Sequence, residues 1–361
     1  MISQASIETA IKKYIDPYLQ KDLITTKVVK NIQIEGDTVT VSLTFGYPTK
    51  GYNSKLTSQL QTIIGEIDGV NTTNINIDNK IITHAAQKGV EPVKGIKNII
   101  AVASGKGGVG KSTTAVNLAL ALLKDGASVG ILDADIYGPS QPRMLGANAK
   151  PESKDGNSLE PIISHGLQSM SIGYLIEEDT PMIWRGPMVT QALEQLLKDT
   201  KWDNLDYLIV DLPPGTGDTQ LTLAQKIPVS GAVIVTTPQD IALLDARKGL
   251  KMFEKVNIPV IGVIENMSIH ICGKCGNEEH IFGKGGGVRM AKEQNVDFLG
   301  SLPLDIKIRA ETDSGRPSVV AEPEGQISQI YCEIARHTVA KLSMQAKDYT
   351  TKFPTIKVVN D

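Results

Sequence analysis

The hydrophobic pattern of the first 84 residues predicts a small α+β domain. Apolar residues at helical spacing predict a first helix that ends at Asp16-Pro17, because the residue before a proline avoids the α region. Two runs that alternate apolar and polar residues predict a hairpin turning at Glu35-Gly36-Asp37. With a second helix and a strand near 74–78, the order α-β-β-α-β favours helices on one face of a mostly antiparallel sheet. The helical apolar positions are Ile7, Ile11, Tyr14, Ile15, Leu56, Leu60, Ile63 and Ile64.

From Lys97 onward, nearly continuous apolar runs alternate with helical patterns. Such runs are expected for parallel strands buried on both faces, so we predict a doubly wound α/β sheet with its ligand at the carboxyl ends of the strands. The predicted strands cover 99–103, 128–133, 207–211, 232–237, 260–265 and 296–302, with an extra strand around 167–172. The predicted helices cover 112–124, 189–198, 219–226, 241–255, 288–293 and 326–343. We therefore expect domains at 1–84 and 97–345, a linker at 85–96, and a polar tail at 346–361.

Composition narrows the class of protein. The chain has 361 residues, a net charge of −3 and three cysteines. The slightly acidic balance argues against a nucleic-acid binder, and the lack of a run of about 18 apolar residues argues against a membrane partner. No basic and apolar secretory signal opens the chain. We therefore expect a cytoplasmic protein, because the cysteines are too few and odd in number for a disulfide framework.

One glycine-rich stretch carries the clearest chemical signal. It fits the phosphate-binding pattern G-x-x-x-x-G-K-[ST] and reads Gly105, Lys106, Gly107, Gly108, Val109, Gly110, Lys111, Ser112, followed by Thr113. A predicted strand precedes it and a predicted helix follows it, which aims backbone N–H groups at phosphate oxygens. We expect Lys111 to reach the β- and γ-phosphates of ATP and the Ser112 hydroxyl to ligate Mg²⁺.

Acidic residues end two of the predicted strands on the ligand side. Asp133 and Asp135 follow one strand, and Asp211 ends another, the usual form of the second acid associated with Mg²⁺. The Pro- and Gly-rich loop 212–218 then lies where a residue that senses the γ-phosphate is expected. Together with the phosphate loop, these acids predict a nucleotide site.

The second lysine of the loop, Lys106, is not required by the general pattern. With it, the loop resembles the deviant phosphate loop of the dimeric ATPases of the MinD/ParA/nitrogenase-iron-protein class. The resemblance implies that Lys106 acts in trans across a homodimer closed by ATP. It also implies that Asp135 orients the attacking water, that Asp133 and Asp211 support Mg²⁺, and that Asn266 contacts the adenine base. Catalysis would then consist of positioning and charge neutralisation.

Cys272 and Cys275 form a C-x-x-C after the predicted strand 260–265. A tetrahedral sulfur site needs four ligands, and only two cysteines are nearby. Three completions compete: two chains share an iron–sulfur cluster, His270 and His280 complete a zinc site within one chain, or the pair is a dithiol switch.

A longer set of motifs resembles the Mrp/ApbC family of cytosolic iron–sulfur cluster carriers with ATPase activity. The motifs are the phosphate loop, Asp-Ala-Asp-Ile-Tyr-Gly-Pro-Ser from Asp133, Trp184-Arg185-Gly186-Pro187, Val-Asp-Leu-Pro-Pro-Gly-Thr-Gly-Asp from Val210, and Glu265-Asn266-Met267-Ser268 before the cysteines. The resemblance implies a 4Fe–4S cluster bridged between two subunits by Cys272 and Cys275. The cluster would pass to apo-proteins, with scaffold proteins as further partners and weak ATP hydrolysis serving transfer.

The predicted N-terminal domain resembles the PaaD-like domain, of the metal–sulfur cluster biosynthesis type, that often precedes such ATPases. Its loop 45–51 lacks the cysteine that many of these domains carry, so we assign it no metal ligand and expect a docking or regulatory role. Cys332, in the predicted last helix, is expected to be a small buried apolar residue. The alternatives to a carrier are a positioning ATPase of the MinD/ParA kind and a zinc-stabilised ATPase.

Overall fold

The computed structural model describes residues 2–87, 90–176 and 186–346, which form two main sheets with their own helices. The small sheet unit comprises α1 (Gln4–Lys12), β1 (Val29–Glu35), β2 (Thr38–Phe45), α2 (Asn53–Gly65) and β3 (Thr72–Asn79). The large sheet unit follows. Its elements are β4 (Ile96–Ala103), α3 (Lys111–Lys124), β5 (Val129–Asp133), α4 (Gln141–Met144), β6 (Ile162–Ser164), β7 (Leu167–Ser171), α5 (Gly186–Asp199), β8 (Leu205–Asp211), α6 (Asp218–Lys226), β9 (Gly231–Thr236), α7 (Asp240–Lys255), β10 (Val260–Glu265), β11 (His270–Ile271), β12 (Glu278–Glu279), α8 (Gly286–Glu293), β13 (Asp297–Ser301), α9 (Ile306–Asp313), α10 (Ser318–Ala321) and α11 (Gln326–Ser343).

The large sheet has eight strands in the order β13-β10-β9-β4-β8-β5-β7-β6. All neighbours are parallel except β6 and β7, which pair antiparallel. The apolar runs that predicted these strands are buried on both faces of the sheet, as their continuity requires. The doubly wound α/β fold is confirmed, and the central position of β4 places the loop that follows it in the middle of the carboxyl edge.

The small sheet differs from the prediction in one pairing and one helix end. β1 and β2 form the predicted antiparallel hairpin, but β2 and β3 pair in parallel, because α2 crosses over between them. Helix α1 ends at Lys12, and Ile15 is 57% exposed instead of belonging to the apolar face. The cause is local: the Asp16 carboxylate accepts the N–H groups of Tyr18 and Leu19 and holds a turn that replaces further helix.

Contact between the two units is centred on Asp125, the residue after α3. Its buried carboxylate accepts two hydrogen bonds from Arg336 of α11, from Nε at 2.6 Å and from Nη2 at 3.0 Å. It also accepts the Gly51 N–H at 3.2 Å. Arg336 Nη1 donates to the Tyr18 hydroxyl at 3.1 Å. A Cβ on Gly51 would lie 2.5 Å from Asp125 Oδ1, so the close approach requires glycine there.

Part of the predicted linker is attached to the large sheet unit. The Gln87 side chain donates to the carbonyls of Ala224 and Ile227 and accepts the Val229 N–H. Three predicted features lie wholly or partly outside the described residues: linker residues 88 and 89, the motif residues Trp184 and Arg185, and the tail from residue 347. The domain boundaries remain predictions. Within the described ranges, no helix combines the length and apolar character needed to cross a bilayer.

Candidate functional site

The phosphate loop joins the end of β4 to the start of α3, as the motif predicts. Gly108 and Gly110 adopt left-handed backbone conformations, with φ of 80° and 79°. These values favour glycine, and Gly110 is the N-cap residue directly before α3. The first N–H groups of this 14-residue helix therefore face the loop, where they and the helix dipole favour an anion.

Two loop glycines are also required by close packing. A Cβ on Gly105 would lie 2.2 Å from the Asp245 carbonyl carbon of α7. A Cβ on Gly110 would lie 2.2 Å from the Asn266 amide nitrogen. The loop is thus held between α7 and the segment after β10, so its glycines serve packing as well as phosphate access.

Lys111 and Asp211 form a buried ion pair at the centre of the site. Lys111 Nζ also donates to Ser112 Oγ at 3.1 Å. The second oxygen of Asp211 accepts from the Gln141 amide at 2.9 Å. One hydrogen-bonded group therefore contains the predicted phosphate-binding lysine Lys111, the predicted Mg²⁺ ligand Ser112 and the predicted metal-associated acid Asp211.

Asp133 is fully buried beside this group. Its carboxylate accepts the N–H groups of Asp135, Ser140 and Gln141 and the Ser171 hydroxyl at 2.9–3.1 Å. Burial, and next the negative charge of Asp211, raise the pKa of Asp133. These bonds hold the turn after β5, which also carries Asp135. Burial raises the pKa of Asp135, whereas the positive charge of Lys111 opposes that rise.

The loop after β8 is fastened to the phosphate loop. The Gly215 N–H donates to the Ser104 carbonyl at 3.0 Å, and Gly107 lies near Pro214. The Gln220 side chain closes the turn by donating to the Pro213 carbonyl and accepting the Gly217 N–H. The structure thus places loop 212–218 beside the phosphate loop, where its role as a γ-phosphate sensor remains a prediction.

The remaining loop residues have simpler surroundings. Lys106 is partly exposed, its carbonyl accepts the Ser104 hydroxyl at 2.9 Å, and no ion pair of its side chain occurs within the described residues. Val109 is buried, and the Thr113 carbonyl accepts from Asn117. The action of Lys106 in trans remains a prediction.

Asn266 connects the phosphate loop to the cysteines. Its amide nitrogen donates to the Val109 carbonyl and its amide oxygen accepts the Met267 N–H, both at 2.9 Å. One N–H and one oxygen lone pair of this amide remain for a ligand such as a base. Cys272 lies six positions after Asn266, so the chain between them spans at most about 20 Å.

Cys272 and Cys275 lie on the turn between β11 and β12. The Cys272 N–H donates to the Asn277 carbonyl, and the Gly276 N–H donates to the Cys272 carbonyl. Backbone N–H groups of Lys274 and Cys275 face the Cys272 thiol and lower its pKa. Cys275 is exposed, whereas Cys272 is partly exposed. The pair is thus presented at the surface, with one thiol biased toward the thiolate that binds metals.

The histidines do not complete a zinc site in this arrangement. His270 Nδ1 lies 3.1 Å from the Leu304 carbonyl, and His280 Nδ1 lies 2.7 Å from the Ser268 carbonyl. Among the described residues, no three His, Cys, Asp or Glu side chains are grouped so that they could hold a metal ion. Within the described chain, the structure therefore does not bring together the ligands that the zinc alternative requires, and the cysteine pair needs ligands from elsewhere to form a four-ligand site.

Comparison with known proteins shows the family to which this chain belongs. Residues 95–339 match the model of the NUBPL iron-transfer P-loop NTPase family, and residues 4–77 match that of an iron–sulfur cluster assembly protein family. The chain belongs to the NUBPL iron-transfer P-loop NTPase family. It is 49% identical over 345 residues to the iron–sulfur cluster carrier protein of Escherichia coli K12, covering 95% of this chain and 94% of that one.

Solved structures confirm the fold of this P-loop NTPase. A nucleotide-binding protein from Archaeoglobus fulgidus, solved with ADP, is 36% identical with a TM-score of 0.56, and the match covers 66% of this chain and 93% of that one. The cell-division ATPase MinD of Pyrococcus furiosus matches with a TM-score of 0.52 at 21% identity, covering 66% and 97%. The predicted resemblance to the carrier family is confirmed by the family model and the curated relative, and the MinD match shows a shared fold.

Two site residues of this NTPase were missed by sequence reasoning. Gln141 bridges the Ser112 carbonyl and Asp211, and Gln220 fixes the loop after β8. Gln141 lies in a four-residue helix, which is too short to show apolar periodicity. The signal that could have found it is its position directly after the quoted Asp-Ala-Asp-Ile-Tyr-Gly-Pro-Ser motif.

Proposed function

We propose that this protein is an iron–sulfur cluster carrier in which ATP controls a homodimer. Two copies hold one 4Fe–4S cluster through Cys272 and Cys275 and deliver it to apo-proteins. The observation that carries this proposal is the presentation of two cysteines on a surface turn, with no further metal-ligating group beside them in the described chain. Two thiolates from each of two copies supply the four that such a cluster needs.

Exposed apolar side chains support an association through this face. Ile271 and Ile281, on either side of the cysteine turn, are 43% and 54% exposed. Ile241 and Leu244, on the first turns of α7 beside the phosphate loop, are also exposed. Apolar groups on both the cysteine turn and the nucleotide side are what one interface covering both sites would bury.

The path between the sites supports control by ATP. Asn266 bonds the phosphate loop, and the chain runs directly from it to the cysteine turn. A shift of the loop on nucleotide binding would therefore be transmitted through a covalent segment of six residues. Lys106, which has no ion pair within the described residues, would complete the nucleotide site of the partner copy.

We propose the following roles for the residues of one ATP site. Lys111 would exchange part of its contact with Asp211 for the β- and γ-phosphates, and the Ser112 hydroxyl would ligate Mg²⁺ with Asp133 and Asp211 behind it. Asp135 would orient the attacking water, and Asn266 would offer its remaining amide groups to the adenine. Since this machinery positions groups without covalent chemistry, we propose slow hydrolysis that serves cluster transfer. Cytoplasmic apo-proteins and scaffold proteins would be the partners.

The decisive experiment is anaerobic reconstitution of the full chain with iron and sulfide. The wild type should acquire a visible absorption spectrum and about four irons per dimer. Cys272→Ser and Cys275→Ser should lose both. Cys332→Ser is the matched control, because that thiol is buried on α11 and burial raises its pKa to about 11. Equal iron in all four proteins, or one zinc per chain without iron, would refute the carrier proposal.

A second measurement tests the homodimer. Sedimentation of the wild type with a non-hydrolysable ATP analogue should give a dimer, and Lys106→Ala should shift the population toward monomer. Lys284→Ala, which removes an exposed lysine outside the phosphate loop, is the control. A dimer that Lys106→Ala leaves unchanged would contradict the action in trans.

A further inference from the structure

A cleft between the two sheet units is lined by lysines. We call it the basic cleft and define it by Lys21, Lys27, Lys30, Lys80 and Lys97. The first four belong to the small sheet unit, around the start of β1 and the end of β3, and Lys97 belongs to β4. Ser343 and Met344, at the end of α11, form its far wall. The cleft encloses about 830 Å³, a volume that accommodates several residues of a peptide.

The charge of the cleft contrasts with that of the chain. None of the described residues that line it carries a carboxylate, whereas the protein as a whole has a net charge of −3. Lys97 pairs with Asp206 at 2.7 Å. The other four lysines are exposed and have no ion pair within the described part of the chain. Clustering of one charge sign in a concave surface focuses the potential and attracts anionic groups.

The lining also offers apolar and hydroxyl groups. Ile81, Ile82 and Met344 contribute apolar surface, and Thr25 and Thr83 contribute hydroxyls. The rings of Phe45 and Tyr47, which also border the cleft, are fully buried and present no face for a base to stack on. This combination favours a peptide with carboxylates and apolar side chains over single-stranded nucleic acid, which relies on exposed aromatic rings.

We propose that the basic cleft binds an acidic segment of a partner protein, with carboxylates on the lysines and apolar side chains on the cleft floor. A segment bound there contacts both sheet units at once. The assignment rests on charge complementarity and does not require the cluster or the nucleotide, so it goes beyond the proposed carrier function.

The test is fluorescence anisotropy of a labelled peptide of alternating glutamate and leucine with the full chain. The wild type should bind it, more weakly as salt increases. The triple variant Lys21→Glu, Lys30→Glu, Lys80→Glu should bind about tenfold or more weakly, because three ion pairs become repulsive. The matched control reverses Lys12, Lys13 and Lys55, exposed on the helices of the same unit, and should bind within about twofold of wild type.

Circular dichroism and ADP binding establish that each variant is folded. Should the triple variant unfold, Lys80→Gln alone is measured, and it should weaken binding by about two- to threefold. No binding by the wild type, or an equal loss in the control variant, would overturn the proposal. So would an unlabelled oligodeoxythymidine that displaces the peptide and itself loses affinity in the triple variant, since the site would then be one for polyanions in general.

Discussion

Replacement of Arg336 by methionine tests how the small sheet unit is held to the large one. Arg336 is almost completely buried and forms the bidentate bond to Asp125, whose carboxylate has no exposed surface. Arg336→Met keeps the apolar stem and much of the volume but leaves that carboxylate with the Gly51 N–H as its remaining hydrogen bond among those described. The variant therefore leaves the buried negative charge of Asp125 without an ion-pair partner between the units.

The structure allows the loss of stability to be estimated. Removing one partner of a buried ion pair costs about 3–5 kcal/mol, because the other charge stays desolvated. The contact with Tyr18, a hydrogen bond of 3.1 Å and a guanidinium carbon 5.7 Å from the ring centroid, adds about 1 kcal/mol. We expect Arg336→Met to lower the free energy of unfolding by roughly 4–6 kcal/mol. The double variant with Asp125→Leu should lose less, since no unpaired charge remains.

Equilibrium unfolding in urea, followed by circular dichroism, measures both values. Arg336→Lys is the control, because it keeps the positive charge but loses the bidentate geometry, and its loss should fall between wild type and Arg336→Met. A loss below about 1 kcal/mol for Arg336→Met would refute the reasoning, because such a value is typical of an exposed ion pair. A double variant less stable than the single one would also refute it.

Three further predictions concern the site and the small unit. Gly105→Ala should abolish ADP binding, measured by calorimetry, because its Cβ would displace the Asp245 backbone of α7; normal affinity would contradict this. Gln141→Leu should weaken ATP binding about tenfold, because Asp211 and the Ser112 carbonyl lose a hydrogen bond worth about 1–2 kcal/mol; fluorescent-nucleotide titration measures it. Burial raises the pKa of Asp16 from its ordinary 3.8. The protonated carboxyl therefore stabilises the fold fully below pH 3.8, and this stabilisation is lost as the pH rises through the raised pKa. Asp16→Asn should therefore flatten the dependence of unfolding free energy on pH above pH 3.8 without loss at pH 8, and a steeper dependence would count against it.

The parts of the fold that were predictable carry long, repetitive signals. Strands buried on both faces show continuous apolar runs. In the phosphate loop, the sequence has glycine at the positions where the backbone adopts a positive φ. The placement of Asp211 beside the phosphate loop could be predicted because parallel strands end at the same edge of the sheet. Each of these predictions depends on adjacent residues in the sequence or on a regular spacing of apolar residues.

The parts that were missed depend on contacts distant in sequence. Nothing near Asp125 indicates that Arg336 binds it, because the two residues are 211 positions apart in the sequence. Ile15 was assigned to a helix face because the helix was expected to continue to Pro17. In the structure, α1 ends at Lys12 and the Asp16 carboxylate holds a turn, so Ile15 is exposed. Gln141 was missed because its helix is a single turn. Sequence periodicity does not report such single contacts, although they decide how the site is fixed.

The cysteine turn has a consequence for how tightly a cargo can be held. Strands β11 and β12 have two residues each and pair at only two positions, His270 with Glu279 and Ile271 with Glu278. A binding element so lightly constrained loses conformational freedom when a cluster is bound, and that entropy cost reduces the affinity. A rigid cage of four ligands would avoid the cost and retain its metal. If the proposed carrier function is correct, the short hairpin would lower the affinity for the cluster, and an acceptor with a more ordered site could then take it.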